Sequence, residues 1–450
     1  MPVVQKRFAC QISFSRIAFV ALTIACGQAG AIDLVKVYEL ALTSDPAYQG
    51  AGAANRATQE LAPQAKARLL PNMNLSHNTN GNILNVQEAN SIAVGAGSRK
   101  FNNQQFVLNV TQPIYRRDLW IQIGQADSRI NQADAAYAFA LQDLMLRTSQ
   151  RYFDVLRAED ELEFAVAEME AFEQQLNQSR QRFEVGLIAI TDVEEAQAGF
   201  DLARAQVIAA ENQLDVTREA LREVTGEYHL QLAGLGSNLT LVTPEPDNIE
   251  DWTEIALKQN LQLSAALYAA EVARDEIRRV EAGHLPTLDL VGSHTRSSSN
   301  GGFSGGSRSE QTALGIRLNI PIYEGGFTVS RTRETRHLYQ QSIDEVERAR
   351  RATHRQTRDA YLGVKSGISR VGALEQAVKS TESARAAVEA GFQVGTRTSV
   401  DVLNAERDVF RAKRDLAAAR YAYIVDILTL KQAAGTLSEN DIRLINAWLR

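Results

Sequence analysis

Two aspartates occupy the same place in two stretches of this chain. Asp192 follows Phe183, Val185 and Gly186, and Asp401 follows Phe392, Val394 and Gly395 at the same intervals. An acid just after a Val-Gly turn is a common solvated start to a helix, its carboxylate taking free backbone N–H groups. Its other use is electrostatic, because a carboxylate repeated around an axis concentrates cations. Arg397, four residues before Asp401, reads alone as a surface charge. Other chemistry is not in view. His77, His229, His284, His294, His337 and His354 lack ligand spacing, so no metal site is expected. Gly301-Gly302 and Gly305-Gly306 precede no phosphate-binding helix signature, and no set of side chains suggests nucleophilic or acid–base catalysis. The chain does not read as an enzyme, and no cofactor is expected.

The elements that carry these acids are repeated. Phe183–Gly226 aligns with Phe392–Gly435 without a gap, at a constant offset of 209 residues. Each copy holds a three-four spacing of apolar residues. The first runs Val193, Ala196, Phe200, Ala203, Val207, Ala210, Leu214, and the second Val402, Ala405, Val409, Ala412, Leu416, Ala419, Tyr423. Every second position is alanine, which predicts a closely packed coiled-coil seam. Each copy is therefore a helix, a tight turn and a returning helix.

Lys6, Arg7 and Arg16, the apolar run Ile17–Cys26 and the small residues Ala29-Gly30-Ala31 predict a secretory signal over 1–31. Cys26 offers a second reading, a lipid-modified N-terminus. Beyond Ala31 the chain keeps 45 of its 48 basic residues and all 54 acidic ones, a formal charge of −9 that disfavours nucleic acid. Both cysteines, Cys10 and Cys26, precede that point, so no disulfide is expected in the exported chain. No later stretch has the roughly 18 to 20 apolar residues of a membrane-spanning helix. A membrane crossing would have to be made by strands.

Two repeats follow, 32–246 and 247–450. Each opens with a short helix, around Val37–Thr43 and Ile255–Asn260, and a further helical stretch that Leu70-Pro71 or Leu285-Pro286 breaks. The period then changes to 2. Met73 and Leu75 alternate with Asn72, Asn74 and Ser76, and Leu288 and Leu290 with Thr287, Asp289 and Val291. The returning strands place Phe106, Leu108, Val110 and Thr312, Leu314, Ile316, Leu318, Ile320 against Val107, Asn109, Thr111 and Ala313, Gly315, Arg317, Asn319. Asn78–Asn103 and His294–Gln311 read as long exposed loops. Pro113-Ile114-Tyr115 and Pro321-Ile322-Tyr323 close the strands, and long proline-free helical stretches follow, with Arg116–Val185 extending on the order of 100 Å. The basic stretch His337–Arg358 is interleaved with acids and reads as a solvated helix face. Glu227–Asp251, with Pro244 and Pro246, links the repeats.

Four strands cannot close a barrel, and an open edge in lipid leaves backbone groups unsatisfied. Two copies would give eight strands and a filled interior, whereas three would give twelve and a lumen. The polar set Asn109, Thr111, Arg317 and Asn319 suits a water-filled interior. A trimeric pore extended by a helical tube is the expectation. A structural or adhesive coiled-coil protein of the envelope is the alternative, but it leaves the alternating strands without a role.

Three segments carry a resemblance to a known family: Arg182–Leu187 with Ala189–Val193, Gly283–Leu290, and Val394–Thr398 with Val400–Leu403. They resemble the TolC outer-membrane channels, over nearly the whole exported chain. The resemblance implies a mixed fold of membrane β-barrel and long α-helical coiled-coil barrel, built as a homotrimer with a shared twelve-stranded barrel in outer-membrane lipid and a twelve-helix tunnel across the periplasm. It implies an exit duct for multidrug efflux and type I protein secretion, with a periplasmic adaptor and an inner-membrane pump as partners. The matching gate positions are Thr191, Asp192 and Arg397, an outer contact between Gln175 and Glu389, and Phe392 where the family has a tyrosine. Asp401 matches a pore cation ring, while Asn404 replaces its second aspartate. Val185-Gly186 and Val394-Gly395 match the tips that meet the adaptor.

Overall fold

The structure is a computed structural model, and residues 31–87, 97–229, 231–236, 240–301 and 305–449 are described. The predicted signal over 1–31, with both cysteines, falls outside the described residues apart from Ala31. Asp33 opens helix α1 (Leu34–Ser44) by accepting the Lys36 N–H. Asp45 opens α2 (Pro46–Gln59) on the Tyr48 N–H, with proline at the first helical position, where its missing donor costs nothing. After α3 (Leu61–Ala67) come β1 (Asn72–Val86) and β2 (Gly97–Tyr115). The first long pair is α4 (Arg117–Glu184), 68 residues, and α5 (Ile190–Thr225), 36 residues. The same order then recurs in α6 (Ile249–Gln259), α7 (Leu261–Glu281), β3 (Thr287–Ser299), β4 (Ser307–Asn319), α8 (Phe327–Gln393) of 67 residues and α9 (Ser399–Ala434) of 36. A short α10 (Glu439–Asn446), absent from the sequence reading, follows.

The four strands form one antiparallel sheet in the order β1-β2-β3-β4. Its register places Met73, Leu75, Phe106, Leu108, Val110, Leu290, Leu314, Ile316 and Leu318 on one face. Asn109, Thr111, Arg317 and Asn319 lie on the other, as their alternation predicts. Most of the apolar face is open: Leu75 is 70% exposed and Leu314 79%. The strands also run well into the two expected loops. Asn78–Val86 and Gly97–Asn103 pair as β1 and β2, and His294–Ser299 and Ser307–Gln311 as β3 and β4. Polar residues on both faces erase the alternating hydrophobic signal there, while the backbone ladder continues. Residues 88–96 and 302–304 of those loops lie outside the described residues.

Where sheet passes to helix, the chain is clamped. Arg116, between β2 and α4, donates two bonds to the buried Asp289 of β3, at 3.0 and 2.8 Å. The fork geometry of guanidinium on carboxylate fixes direction as well as distance.

Along the long pairs the alanine seams are buried as expected, at Ala196, Ala203, Val207, Ala210 and Leu214 on α5 and at Val402, Val409, Ala412, Ala419 and Tyr423 on α9. The largest apolar cluster lies where α1, the middle of α4, the C-terminal part of α9 and α10 meet. Two buried tyrosines there tie down the irregular segment between α5 and α6. Tyr152 Oη donates to the Ala233 carbonyl at 2.7 Å and Tyr423 Oη to the Val242 carbonyl at 2.8 Å. Arg147 likewise forks onto the buried Asp45, at 2.9 and 3.0 Å. Three arginines of His337–Arg358 pair with acids on their own helix, Arg348 with Glu345, Arg351 with Glu347 and Arg355 with Asp359, while Arg358 reaches Glu250 of α6. No described helix is long and apolar enough to cross a membrane.

Gly226 and Gly435 end α5 and α9 at the same left-handed φ of 76°. Their surroundings differ. A Cβ on Gly226 would meet the Ser44 side chain at 3.4 Å, whereas one on Gly435 would lie 2.2 Å from the Gln259 carbonyl oxygen. Gly226→Ala should therefore cost only the left-handed penalty of about 1–2 kcal/mol. Gly435→Ala should cost more, because the backbone at the end of α6 must move. Equal losses in thermal unfolding would refute this.

Candidate functional site

The two helix-pair tips share a backbone design. Val185 ends α4, Gly186 takes φ 76°, and the Leu187 N–H returns to the Arg182 carbonyl at 2.8 Å. Val394 ends α8, Gly395 takes φ 80°, and the Thr396 N–H returns to the Gly391 carbonyl at 2.8 Å. Only glycine adopts this conformation without strain, so each long helix can stop within one residue. The tips expose apolar side chains: Val185 is 70% exposed, Leu187 73% and Val394 76%. Such exposure at the end of a helix pair has the character of a contact surface.

The returning helices start differently. Thr398 caps α9 with a complete reciprocal box: its hydroxyl faces the Asp401 N–H at 3.3 Å, and Asp401 Oδ2 accepts the Thr398 N–H at 2.9 Å and its hydroxyl at 3.0 Å. At α5 the equivalent cap is Ala189, which has no hydroxyl. Asp192 there accepts a single long bond from the Ala189 N–H, at 3.3 Å. The two aspartates are thus unequal. Asp401 is committed to its own helix start, and Asp192 has lone pairs to spare.

That commitment reaches the proton affinity of Asp401. The Thr398 N–H, then its hydroxyl, and more weakly Arg397, hold the carboxyl below its ordinary value. Like-charge crowding around a symmetry axis would raise it. Within one chain the pull runs the other way.

Arg397 lies folded along α8, so that a Cβ on Gly391 would be 2.8 Å from its Cγ. No ion pair joins Arg397 to Asp192 among the described residues of one chain. Gln175 is buried, with its Nε2 unpartnered among the described residues, and no hydrogen bond joins it to the exposed Glu389. Thr191 is exposed at the start of α5, and Asn404 is exposed on α9. The structure therefore brings Asp192, Arg397 and Asp401 to the same tips without pairing Asp192 to Arg397 within a chain.

Three contacts at the tips were not foreseen. The Arg182 guanidinium sits 4.4 Å from the centre of the Phe392 ring and joins one tip to the other. The missing tyrosine hydroxyl is thus accompanied by a cation–π contact on the same ring. Higher up, Phe172 of α4 packs with Ala203 of α5 and Leu403 of α9, in the space left by Gly199. Arg414 of α9 reaches Glu168 of α4 at 2.9 Å. Each contact joins residues far apart in sequence, where periodicity carries no signal.

A duplicated sheet-and-helix chain with one open apolar sheet face and exposed tips defines a class of envelope transport protein. The family model described as outer membrane efflux protein matches residues 37–227 and 252–436, and the chain belongs to that family. It is an outer-membrane protein. The outer membrane protein TolC of Vibrio cholerae serotype O1 is 39% identical over 93% of this chain and 94% of the relative. The proteases secretion protein PrtF of Dickeya chrysanthemi is 30% identical over 96% of this chain and 94% of the relative. Among solved structures, CusC superposes with a TM-score of 0.78 at 18% identity, covering 90% of this chain and 92% of that one. The Campylobacter jejuni CmeC outer membrane channel does so with a TM-score of 0.78 at 15% identity, covering 98% of each. At these identities the two structures speak to the fold alone.

The capping box makes a pH prediction. A carboxyl whose folded pKa is depressed stabilises its helix above the unfolded value, near 3.9, and loses that contribution as pH falls through the folded one. Protection of the Thr398 amide against hydrogen exchange should therefore fall below about pH 4. Asp401→Asn should lower it already at neutral pH. Unchanged protection in Asp401→Asn would refute the box.

Proposed function

We propose that this protein is the outer-membrane exit duct shared by efflux pumps and type I secretion systems, a passive conduit opened at its periplasmic end. The observation that carries the reading is the sheet: β1 and β4 are edges, and one face is an exposed apolar band. Such a sheet can lie in lipid only when other copies pair its edges. Three chains, each with two repeats (32–246 and 247–450), give twelve strands and a lumen lined by the polar face. The long helix pairs of the same three chains give a twelve-helix tunnel. The relatives named for protein secretion support the secretion role, and the family description supports efflux.

The gate in this reading forms between chains. Arg397 of one copy meets Thr191 and Asp192 of the next, where Asp192 has acceptor capacity left. Gln175 and Glu389 add an outer contact. The exposed Val185-Gly186 and Val394-Gly395 tips receive the hairpin of a periplasmic adaptor, which holds an inner-membrane pump beneath. An exposed ion pair contributes about 0–1 kcal/mol, so a few symmetric copies hold a closed state that a partner reverses by binding the open one more tightly.

Planar-bilayer recording tests the duct. Purified trimers, heat-resistant in detergent, should conduct, and Arg397→Ala should raise single-channel conductance and make cells leaky to large antibiotics. Intact Arg397→Ala trimers with unchanged conductance would count against the gate, and failure of the wild type to conduct would count against the duct.

The same recordings test Asp401 as a cation ring. Three carboxylates at a constriction favour cations, and trivalent ions most. Asp401→Ala should weaken block by a trivalent cation added on the periplasmic side. Asn404→Asp, which restores a second ring, should strengthen it. Equal block in all three proteins overturns the assignment.

A further inference from the structure

The apolar band ends at a defined level on the outward face of the sheet. Going from the helices toward the hairpin tips, one row of that face holds Met73, Val110 and Leu314. Two rows further on stand His77, Phe106, Arg296 and Glu310, and the row after that holds Arg308 beside Ser298. Arg296 and Arg308 are diagonal neighbours on adjacent strands, where Cα atoms lie roughly 7–8 Å apart. Both are exposed, and neither makes an ion pair among the described residues. The acid beside them is engaged elsewhere: Glu310 lies 3.5 Å from His294 Nε2, and His294 Nδ1 bonds Thr312 at 2.8 Å. The His77 ring stacks on Phe106 with centroids 3.9 Å apart and closes the band level with Arg296, one row below Arg308.

The strands do not stop at the arginines. β1 continues to Val86 and pairs with β2 back to Gly97, and its outward side there is mostly polar, as at Thr79, Gln104 and Asn102. Seven residues of strand beyond Thr79 reach about 23 Å further along the strand at ~3.3 Å per residue. This wall of hydroxyls and amides, broken by Ile83 and Lys100, above two arginines without an ion pair among the described residues suits a headgroup that is both phosphorylated and rich in sugar.

We propose that Arg296 and Arg308 bind the phosphates of a multi-acylated, phosphorylated glycolipid seated on the outward face of the sheet. Its acyl chains lie on the apolar rows, and its sugars lie along the extended strands. Two guanidinium forks recognise phosphate by paired, charge-assisted bonds. The proposal rests on the barrel reading, in which this face meets lipid.

The test uses full-length detergent-purified trimers and native mass spectrometry with a bisphosphorylated, six-chain glucosamine disaccharide lipid. Wild type should retain it, and Arg296→Gln with Arg308→Gln should weaken retention at least about tenfold. Arg296→Lys with Arg308→Lys, which keeps charge but loses the forks, should fall between them. Glu310→Gln and Arg331→Gln, the latter far away on α8, should retain it as wild type does. Dephosphorylated lipid should bind wild type no better than the double glutamine variant. Retention unchanged in that variant, or equal for the dephosphorylated lipid, overturns the site. Inorganic phosphate bound as tightly alone would make it a soluble-anion site, and phosphatidylglycerol held equally well would remove the sugar. Either result overturns the glycolipid assignment. Should the glutamine variant not assemble, the lysine variant decides: retention equal to wild type overturns the site. Conductance of the same wild-type preparation reports separately on the barrel, so the two failures are distinguishable.

Discussion

Backbone hydrogen bonding at the two edges of a four-stranded sheet governs this molecule. β1 and β4 each leave a row of N–H and C=O groups without a strand partner among the described residues. In water such an edge is tolerable, but beside an apolar face meant for lipid each unpaired group costs several kcal/mol. In the proposed duct the sheet is a segment of a larger closed wall, which pairs both edges. Much of the rest follows from that need. The helices must leave the wall in a fixed direction, which the Arg116–Asp289 fork provides at the one point where β2, β3 and α4 meet.

Below that junction the limiting quantity is the distance between helices. Alanine at alternate seam positions lets α5 and α9 approach their partners closely over their 36 residues, while the larger residues between fill the gaps. Small residues serve the same end across pairs. Gly199 leaves room for Phe172 against Leu403, and Gly391 leaves room for Arg397. The Arg182–Phe392 contact joins the two tips directly. The buried but unpaired Nε2 of Gln175 and hydroxyls of Ser179 and Ser399 sit near those tips. Unpaired groups of this kind weaken packing locally, which is compatible with the proposed opening of this end.

The sequence disclosed what periodicity can carry. Alternation placed Asn109, Thr111, Arg317 and Asn319 on one face and Leu314, Ile316 and Leu318 on the other, and the three-four spacing placed the alanine seams. It failed where both faces of a strand are polar: Asn80, Asn82, Asn102 and Asn103 are paired strand residues that read as loop. It also missed α10, whose eight residues are too few for a period to register although Ile442 and Ile445 are buried. Side-chain partners far apart in sequence were invisible. Phe392 was read as a lost hydroxyl because nothing local could show Arg182 above its ring. The tyrosines that pin the segment between α5 and α6 escaped for the same reason, since their partners are backbone carbonyls of an irregular stretch.

One difference between the tips was legible and bears on how a duplicated chain divides its labour. Thr398 and Ala189 are equivalent positions, and only threonine supplies the hydroxyl that completes a reciprocal cap. Duplication would give both aspartates the same duty, and loss of one hydroxyl separates them. Asp401, held by three hydrogen-bond contacts with Thr398, has its carboxyl pKa lowered by them, which suits the lasting charge that the proposed cation ring needs. Asp192, with one long bond, keeps the acceptor capacity that the proposed gate between chains requires. A fixed charge and an exchangeable one are different devices. The change that separates them lies three residues before each acid, at the exposed caps Ala189 and Thr398.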